Sequence, residues 1–155
     1  MNIILFGNSG SGKSTLAKLL SEYGYCHINT GEITRMMAKM DVHNLPVVVQ
    51  TMIATMDFSK SHVFDHFYIH TYEQLRDLGA NPIVVAVMDR RTEKPPINKK
   101  RHRFHEQLPK ILTYFDKVHI KPIEVINTDY GFDVSELINA GILPFECMAM
   151  LKPEG

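Results

Sequence analysis

The amino-acid sequence predicts an α/β protein built on a parallel sheet, and three observations carry that expectation. Short apolar runs that suit buried parallel strands recur at Ile3–Phe6, Tyr25–Ile28, His62–Phe67, Pro82–Met88 and Pro122–Asn127. Stretches with apolar side chains at helical spacing lie between them. Residues that open and close helices stand near the ends of those stretches. Strand and helix alternate in this way when helical crossovers join parallel neighbours.

Each element has its own reason. Ile3–Phe6 is continuous in apolar residues, as a strand buried on both faces is, and Gly7 bounds it. Lys13–Tyr23 places Leu16, Leu19 and Leu20 on one helical face, and Gly24 ends it. Tyr25–Ile28 is a second short strand. Thr30–Met40 reads as a helix, and so does Pro46–Met56, where a proline fits the first turn because its missing N–H has no partner there anyway. His62–Phe67 is a third strand. Thr71-Tyr-Glu-Gln74 has the form of a capping box that opens a helix to about Leu78, before Gly79. Pro82–Met88 is rich in β-branched residues and reads as a buried strand. Asn98–Phe115 is a long helix with Pro109 as its kink. Pro122–Asn127 is a fifth strand, and Asp133-Val-Ser-Glu136 resembles a second capping box that starts a last helix. The residues after Leu143 carry no clear signal.

Bulk composition bounds the function. A chain of 155 residues suits one domain, 1–155, with a full core. Lys+Arg and Asp+Glu are both 17, so the formal net charge is zero, which argues against nucleic-acid binding by bulk charge. Cys26 and Cys147 sit in no metal-ligand spacing and imply no disulfide framework, so a reducing compartment is expected. The first apolar run leads straight into a glycine loop, unlike a secretory leader, and no run approaches the roughly 18 apolar residues of a membrane span. A cytoplasmic, monomeric protein with no membrane partner is expected.

The most informative stretch is Gly7-Asn8-Ser9-Gly10-Ser11-Gly12-Lys13-Ser14-Thr15, which satisfies G-x-x-x-x-G-K-[ST] at every fixed position. Glycines let the backbone curl until successive N–H groups point inward as an anion nest. The helix that begins near Lys13 adds its N-terminal partial charge. Lys13 would reach the β- and γ-phosphates of a nucleoside triphosphate, and the Ser14 hydroxyl would ligate Mg²⁺. A glycine turn that binds nothing is the competing account, and the strand before and the helix after weigh against it.

Further along, the sequence resembles the adenylate kinase and nucleoside monophosphate kinase family. The residues that carry the resemblance are the loop, then Ile28-Asn-Thr30-Gly31-Glu-Ile-Thr-Arg35, then Phe64-Asp65-His-Phe67 with Thr71 and Gln74. It resumes at Lys100-Arg101-His-Arg-Phe104-His-Glu-Gln107-Leu-Pro109 and runs on to Tyr114-Phe115. The resemblance implies a three-layer P-loop fold: a five-stranded parallel sheet flanked by helices, an acceptor-binding lobe at about 30–60, and a short lid at about 90–100. It also implies that Thr30 and Gly31 meet the acceptor base region, that Arg35 grips the acceptor phosphate, and that Arg101 contacts phosphates. The family's Gly-Phe-Pro-Arg is here His66-Phe67-Tyr68-Ile69-His70, so a second acceptor arginine is absent and His70 is the nearest stand-in. A histidine is a poorer phosphate clamp than a bidentate arginine.

Asp65 ends an apolar run, where a carboxylate can hold Mg²⁺ through water. Asp89 and Asp57 are the alternatives. Arg90, Arg91, Lys94, Lys99, Lys100, Arg101 and Arg103 crowd into a short stretch of a neutral protein. Either this is a solvated charged face, or Arg90, Arg91 and Arg101 stabilise a transferring phosphoryl group, a role worth about 10³–10⁵ in rate for an arginine finger. Gln74 is either an acceptor ligand or a capping residue. His62, His66 and His70 stand at steps of four, without an evident carboxylate or cysteine to complete a metal site. Met36, Met37, Met40 and Met52 are read as adaptable core packing.

The expected activity is transfer of the γ-phosphoryl of ATP·Mg²⁺ to a nucleoside or deoxynucleoside monophosphate. The competing expectations are a P-loop kinase acting on a hydroxyl of a nucleoside, small metabolite or nucleic acid, and a non-catalytic nucleotide-dependent switch. A nucleic-acid acceptor is the less favoured partner.

Overall fold

The computed structural model describes residues 1–66, 68–94 and 107–150. The fold is α/β, with six strands in a mostly parallel arrangement that alternate with helices. The chain forms two compact units, residues 1–5 with 17–83 and residues 6–16 with 84–155.

The first unit holds most of β1 (Asn2–Phe6), together with β2 (Tyr25–Ile28) and β3 (Ser61–Phe64), in the order β2-β3-β1. Both pairings are parallel, with Ile3 opposite Val63 and Ile28 opposite Phe64. Every residue of β1 is buried, which explains why it reads as an unbroken apolar run. Helices α1 (Lys13–Glu22, shared with the second unit), α2 (Thr30–Lys39), α3 (Leu45–Ala54) and α4 (Ile69–Asp77) supply the other half of the core. Leu20, Val49, Met52 and Leu75 are fully buried there.

The helix ends follow local chemistry. Asn29 caps α2 by accepting the Glu32 N–H at 2.9 Å, and Asn44 caps α3 by accepting the Val47 N–H at 3.3 Å. Pro46 lies in the first turn of α3, as expected. The capping box expected at Thr71 is not a cap: α4 begins two residues earlier, after Tyr68, and Thr71 is wholly buried inside its first turn. Burial of the Thr71 methyl outweighs the local preference of its hydroxyl for a cap, and its Oγ1 has no hydrogen-bond partner among the described residues. Met52 is core, but Met36 and Met40 are exposed, so the methionines of this region are not all packing residues.

The second unit holds β4 (Ile83–Asp89), β5 (Ile123–Thr128) and β6 (Gly131–Asp133) in that order, with helices α5 (Gln107–Lys117) and α6 (Ser135–Asn139) and a closing 3₁₀ turn, Phe145–Met150. β4 and β5 are parallel, with Val87 opposite Val125 and Asp89 opposite Asn127. β6 returns antiparallel to β5, so the sheet has one strand more than expected, and that strand breaks the all-parallel pattern. A tight turn through Gly131, at φ +122°, allows the return. Phe6 and Phe115 are fully buried with ring centroids 5.6 Å apart. Pro109 is the third residue of α5, and the expected helix start at Asn98 lies outside the described residues. At the second expected box, Asp133 accepts from the Ser135 N–H and hydroxyl, while Glu136 accepts the Glu124 N–H instead of closing a box. Among the described residues no helix is long and apolar enough to cross a membrane.

Candidate phosphate-binding site

The glycine loop joins β1 to α1 and belongs to the second unit. Its shape follows from the glycines. Gly10 and Gly12 have φ of +79° and +104°, conformations that side chains disfavour. At Gly7 the constraint is space: an added Cβ would lie 2.7 Å from the Val87 carbonyl oxygen. The Ser11 N–H closes a turn onto the Asn8 carbonyl at 3.1 Å, and the Leu16 N–H takes the Gly12 carbonyl at 3.0 Å as the helical ladder begins.

Side chains fasten this loop from several sides. The Lys13 ammonium folds back over it, donating to the Gly7 carbonyl at 2.8 Å and the Asn8 carbonyl at 3.1 Å. Asn8 Oδ1 accepts the Leu108 N–H of α5 at 3.0 Å. Arg91 Nη2 donates to the Gly10 carbonyl at 2.6 Å. The same guanidinium grips Asp89 at 2.9 Å through Nε and 2.8 Å through Nη2. This two-pronged contact holds the Asp89 carboxyl below its ordinary range and raises the Arg91 guanidinium, with burial opposing both shifts. Asn127 Nδ2 donates to the Ser11 carbonyl at 2.9 Å.

Beside the loop lies a cavity of about 360 Å³, lined in part by Asn8, Ser9, Gly10, Asp89, Arg90 and Lys94. Arg90 and Lys94, both exposed, line this cavity together with Asp89 and the loop residues. Ser14 and Thr15 are exposed on the first turn of α1. That chemistry suits an anion: N–H donors, a helix N-terminus and fixed positive charge. Arg101 lies outside the described residues, as do Lys99, Lys100, Arg103 and Phe67.

The acceptor candidates belong to the first unit, and one of them, Thr30, is bonded to the buried Asp65. Asp65 Oδ1 accepts from the Thr30 N–H at 3.1 Å and the Thr30 hydroxyl at 2.9 Å. Its Oδ2 lies 2.8 Å from His27 Nε2. Thr30 is fully buried and spends its hydroxyl on this carboxylate. A carboxylate has about four lone-pair sites, so three contacts leave room for one further donor, such as metal-bound water. Arg35 is exposed and lies along Gly31, where an added Cβ would come within 3.3 Å of its Nη1. Thr34 hydrogen-bonds the Thr30 carbonyl at 2.7 Å and lies 3.2 Å from the Tyr68 hydroxyl. His70 is half-buried in the first turn of α4. Gln74 donates to the Pro46 carbonyl at 3.2 Å, which ties α4 to the start of α3. Asp57 is occupied in a turn with Ser59. His62 is buried beside Asn2 and His66 packs edge-on to Tyr68; among the described residues no group of three or more His, Cys, Asp and Glu is placed to hold a metal ion.

Sequence reasoning missed Asn127, Phe132 and His27, along with the Asp89–Arg91 pair. One signal would have found Asn127. Like Asp65 and Asp89, it is a polar residue at the carboxyl end of an apolar parallel strand, where α/β sheets place their ligand residues.

No family model matches the chain, and no curated protein matches it. Among solved structures, the chain is similar to shikimate kinase from Acinetobacter baumannii in complex with shikimate. That similarity has 18% identity and a TM-score of 0.43, and it covers 76% of this chain and 77% of that one. It is also similar to the APS kinase of Mycobacterium tuberculosis in complex with AMPPNP and APS. Here the identity is 18% and the TM-score 0.41, over 79% of this chain and 77% of that one.

Proposed function

We propose that this chain is an ATP-dependent P-loop kinase that moves the γ-phosphoryl of Mg²⁺-bound ATP to the phosphate of a nucleoside or deoxynucleoside monophosphate. The observation that carries this reading is the loop Gly7–Thr15 itself, curled at two positive-φ glycines, with Lys13 over its carbonyls and a cavity lined in part by Arg90 and Lys94 beside it. An acceptor oxygen attacks the γ-phosphorus, the bond from that phosphorus to the β–γ bridging oxygen breaks, and ADP leaves with the electron pair. No protein nucleophile is required, because the work is positioning and charge stabilisation.

The loop amides and Lys13 bind the donor phosphates. Ser14, through its hydroxyl, and Asp65, through a bound water, are the residues that would hold Mg²⁺, which would supply positive charge against the developing phosphate charge. Arg90 and Arg101 supply positive charge to the transferring group. Arg91 acts through the loop, since Asp89 and the Gly10 carbonyl already engage it. Arg35 pairs with the acceptor phosphate, with Thr30, Gly31, His70 and Gln74 shaping its surroundings.

One feature of the sequence favours a second reading. In the family resemblance His70 is the nearest stand-in for an arginine that clamps the acceptor phosphate, which suits a hydroxyl acceptor on a nucleoside or small metabolite. The test is transfer of labelled γ-phosphate from ATP·Mg²⁺ to a panel of ribo- and deoxyribonucleoside monophosphates, the matching nucleosides, and short DNA and RNA. A labelled diphosphate supports the first reading. Label on a nucleoside or polymer overturns it in favour of the second, and no transfer to any monophosphate sinks the first.

A further inference from the structure

We propose that Asn127 is a positioning residue for the phosphate loop, whose side-chain amide pins the Ser11 carbonyl and thereby sets the direction of the Gly12 N–H. The inference rests on the donor-site reading above and adds the residue that shapes the site before any ligand arrives.

The geometry is local. Asn127 is 6% exposed and stands in β5 opposite Asp89 of β4. Its backbone carbonyl accepts the Arg90 N–H at 2.8 Å, so the ladder fixes its main chain. Its Nδ2 donates to the Ser11 carbonyl at 2.9 Å. In a planar trans peptide the C=O and the following N–H point in opposite directions. Holding the Ser11 carbonyl towards Asn127 therefore turns the Gly12 N–H away from Asn127.

Two further observations agree. An added Cβ at Gly12 would lie 2.7 Å from Asn127 Nδ2 and 3.0 Å from Phe132 Cζ. The Gly12 backbone thus rests against both side chains and has no space to relax towards them. The preceding carbonyl, that of Gly10, is held by Arg91 in the same manner. Two successive carbonyls are fastened from the ends of two paired strands, so the loop is shaped in advance and reorganises little on binding an anion.

The role requires a neutral donor. Alanine would leave the buried Ser11 carbonyl without this bond. Aspartate keeps the size and shape of Asn127 but sets a carboxylate oxygen against a carbonyl oxygen. A buried carboxylate carries a cost of its own that spreads to the neighbouring strands, so the pinning role is read from exchange that quickens in the loop beyond any change in β4.

The experiment is amide hydrogen exchange of the nucleotide-free protein over residues 7–16, for wild type, Asn127→Ala and Asn127→Asp, beside ATP·Mg²⁺ affinity by calorimetry. Loop exchange should quicken about tenfold in Asn127→Ala, the order set by one buried hydrogen bond, and further in Asn127→Asp, with exchange in β4 changing less than in the loop. ATP affinity should fall in the same order. Wild-type exchange in Asn127→Asp would overturn the proposal, as would equal acceleration in the loop and β4. Asn127→Asp carries the test if Asn127→Ala does not fold, and loss of fold in both would assign Asn127 to global stability instead. A wild type that binds no ATP would sink the donor-site reading, while the exchange comparison would still decide whether Asn127 holds the loop.

Discussion

Asp65 and Asp89 carry the same sequence signature, a carboxylate at the end of an apolar parallel strand, and they arrive at different chemistry. Asp65 is held by Thr30 and His27 within a nearly buried cluster. Asp89 is held by a two-pronged arginine that also reaches the glycine loop. The difference comes from the residues just past each strand. After β4 the chain offers Arg91 two residues on, close enough to turn back. After β3 it offers His66, which packs on Tyr68, and the carboxylate takes its partners from β2 and α2 instead. Strand-end position identifies carboxylates with work to do, and the partner identifies the work.

This contrast can be tested by mutation and by pH. The largest effect is expected in the second unit. Lys13→Ala should cut phosphoryl transfer by at least ~10²-fold, the scale of losing one charge stabiliser, and leave the urea midpoint near that of wild type. Full activity would remove the loop from the mechanism.

Asp89→Asn should come next. It replaces one of two oxygens facing Arg91 with an amide, and losing a hydrogen bond between charged groups costs about 1.5–3 kcal/mol. Asp65→Asn should cost less, because an amide oxygen still accepts both Thr30 donors. Equal losses in urea unfolding would erase the contrast. The pH dependence is specific. Arg91 lowers the Asp89 pKa in the folded state below its ordinary 3.8. The stability this gives is therefore present above about pH 4 and lost as pH falls through the folded value. Asp89→Asn should flatten that acid limb.

Arg35→Ala tests the first unit from the acceptor side. It should raise the acceptor KM about tenfold, or ~1.4 kcal/mol, with little change in the ATP KM. A change confined to ATP would exchange the roles of the two units.

The smallest effect belongs to His62, in the strand that leads to Asp65. Burial pushes its pKa below the ordinary 6.5. The unfolded chain then takes up a proton before the folded one does, so stability declines as pH falls below about 6.5. His62→Gln should remove that shallow slope, as read by urea titrations at pH 5 and pH 7.

Much of the fold was legible in the sequence. Five strands and most helix boundaries follow from period and punctuation, because burying an apolar face is a local demand repeated along each element. The misses have physical causes. β6 is three residues long and exists only by pairing with β5, so no window of its own could announce it. The Thr71 box failed because tertiary burial overrode a capping preference. Arg91 was legible as a cation two residues past Asp89, but its bond to the Gly10 carbonyl joins positions far apart in the chain, which spacing does not encode.

The α/β class and the curl of the glycine loop were set by the amino-acid sequence alone, because Gly10 and Gly12 act through backbone conformation within a few residues of one another. Which side chains hold that loop was settled by the folded chain. Asn127 and Arg91 reach Ser11 and Gly10 from far along the sequence, and only the pairing of β4 with β5 brings their strand ends together.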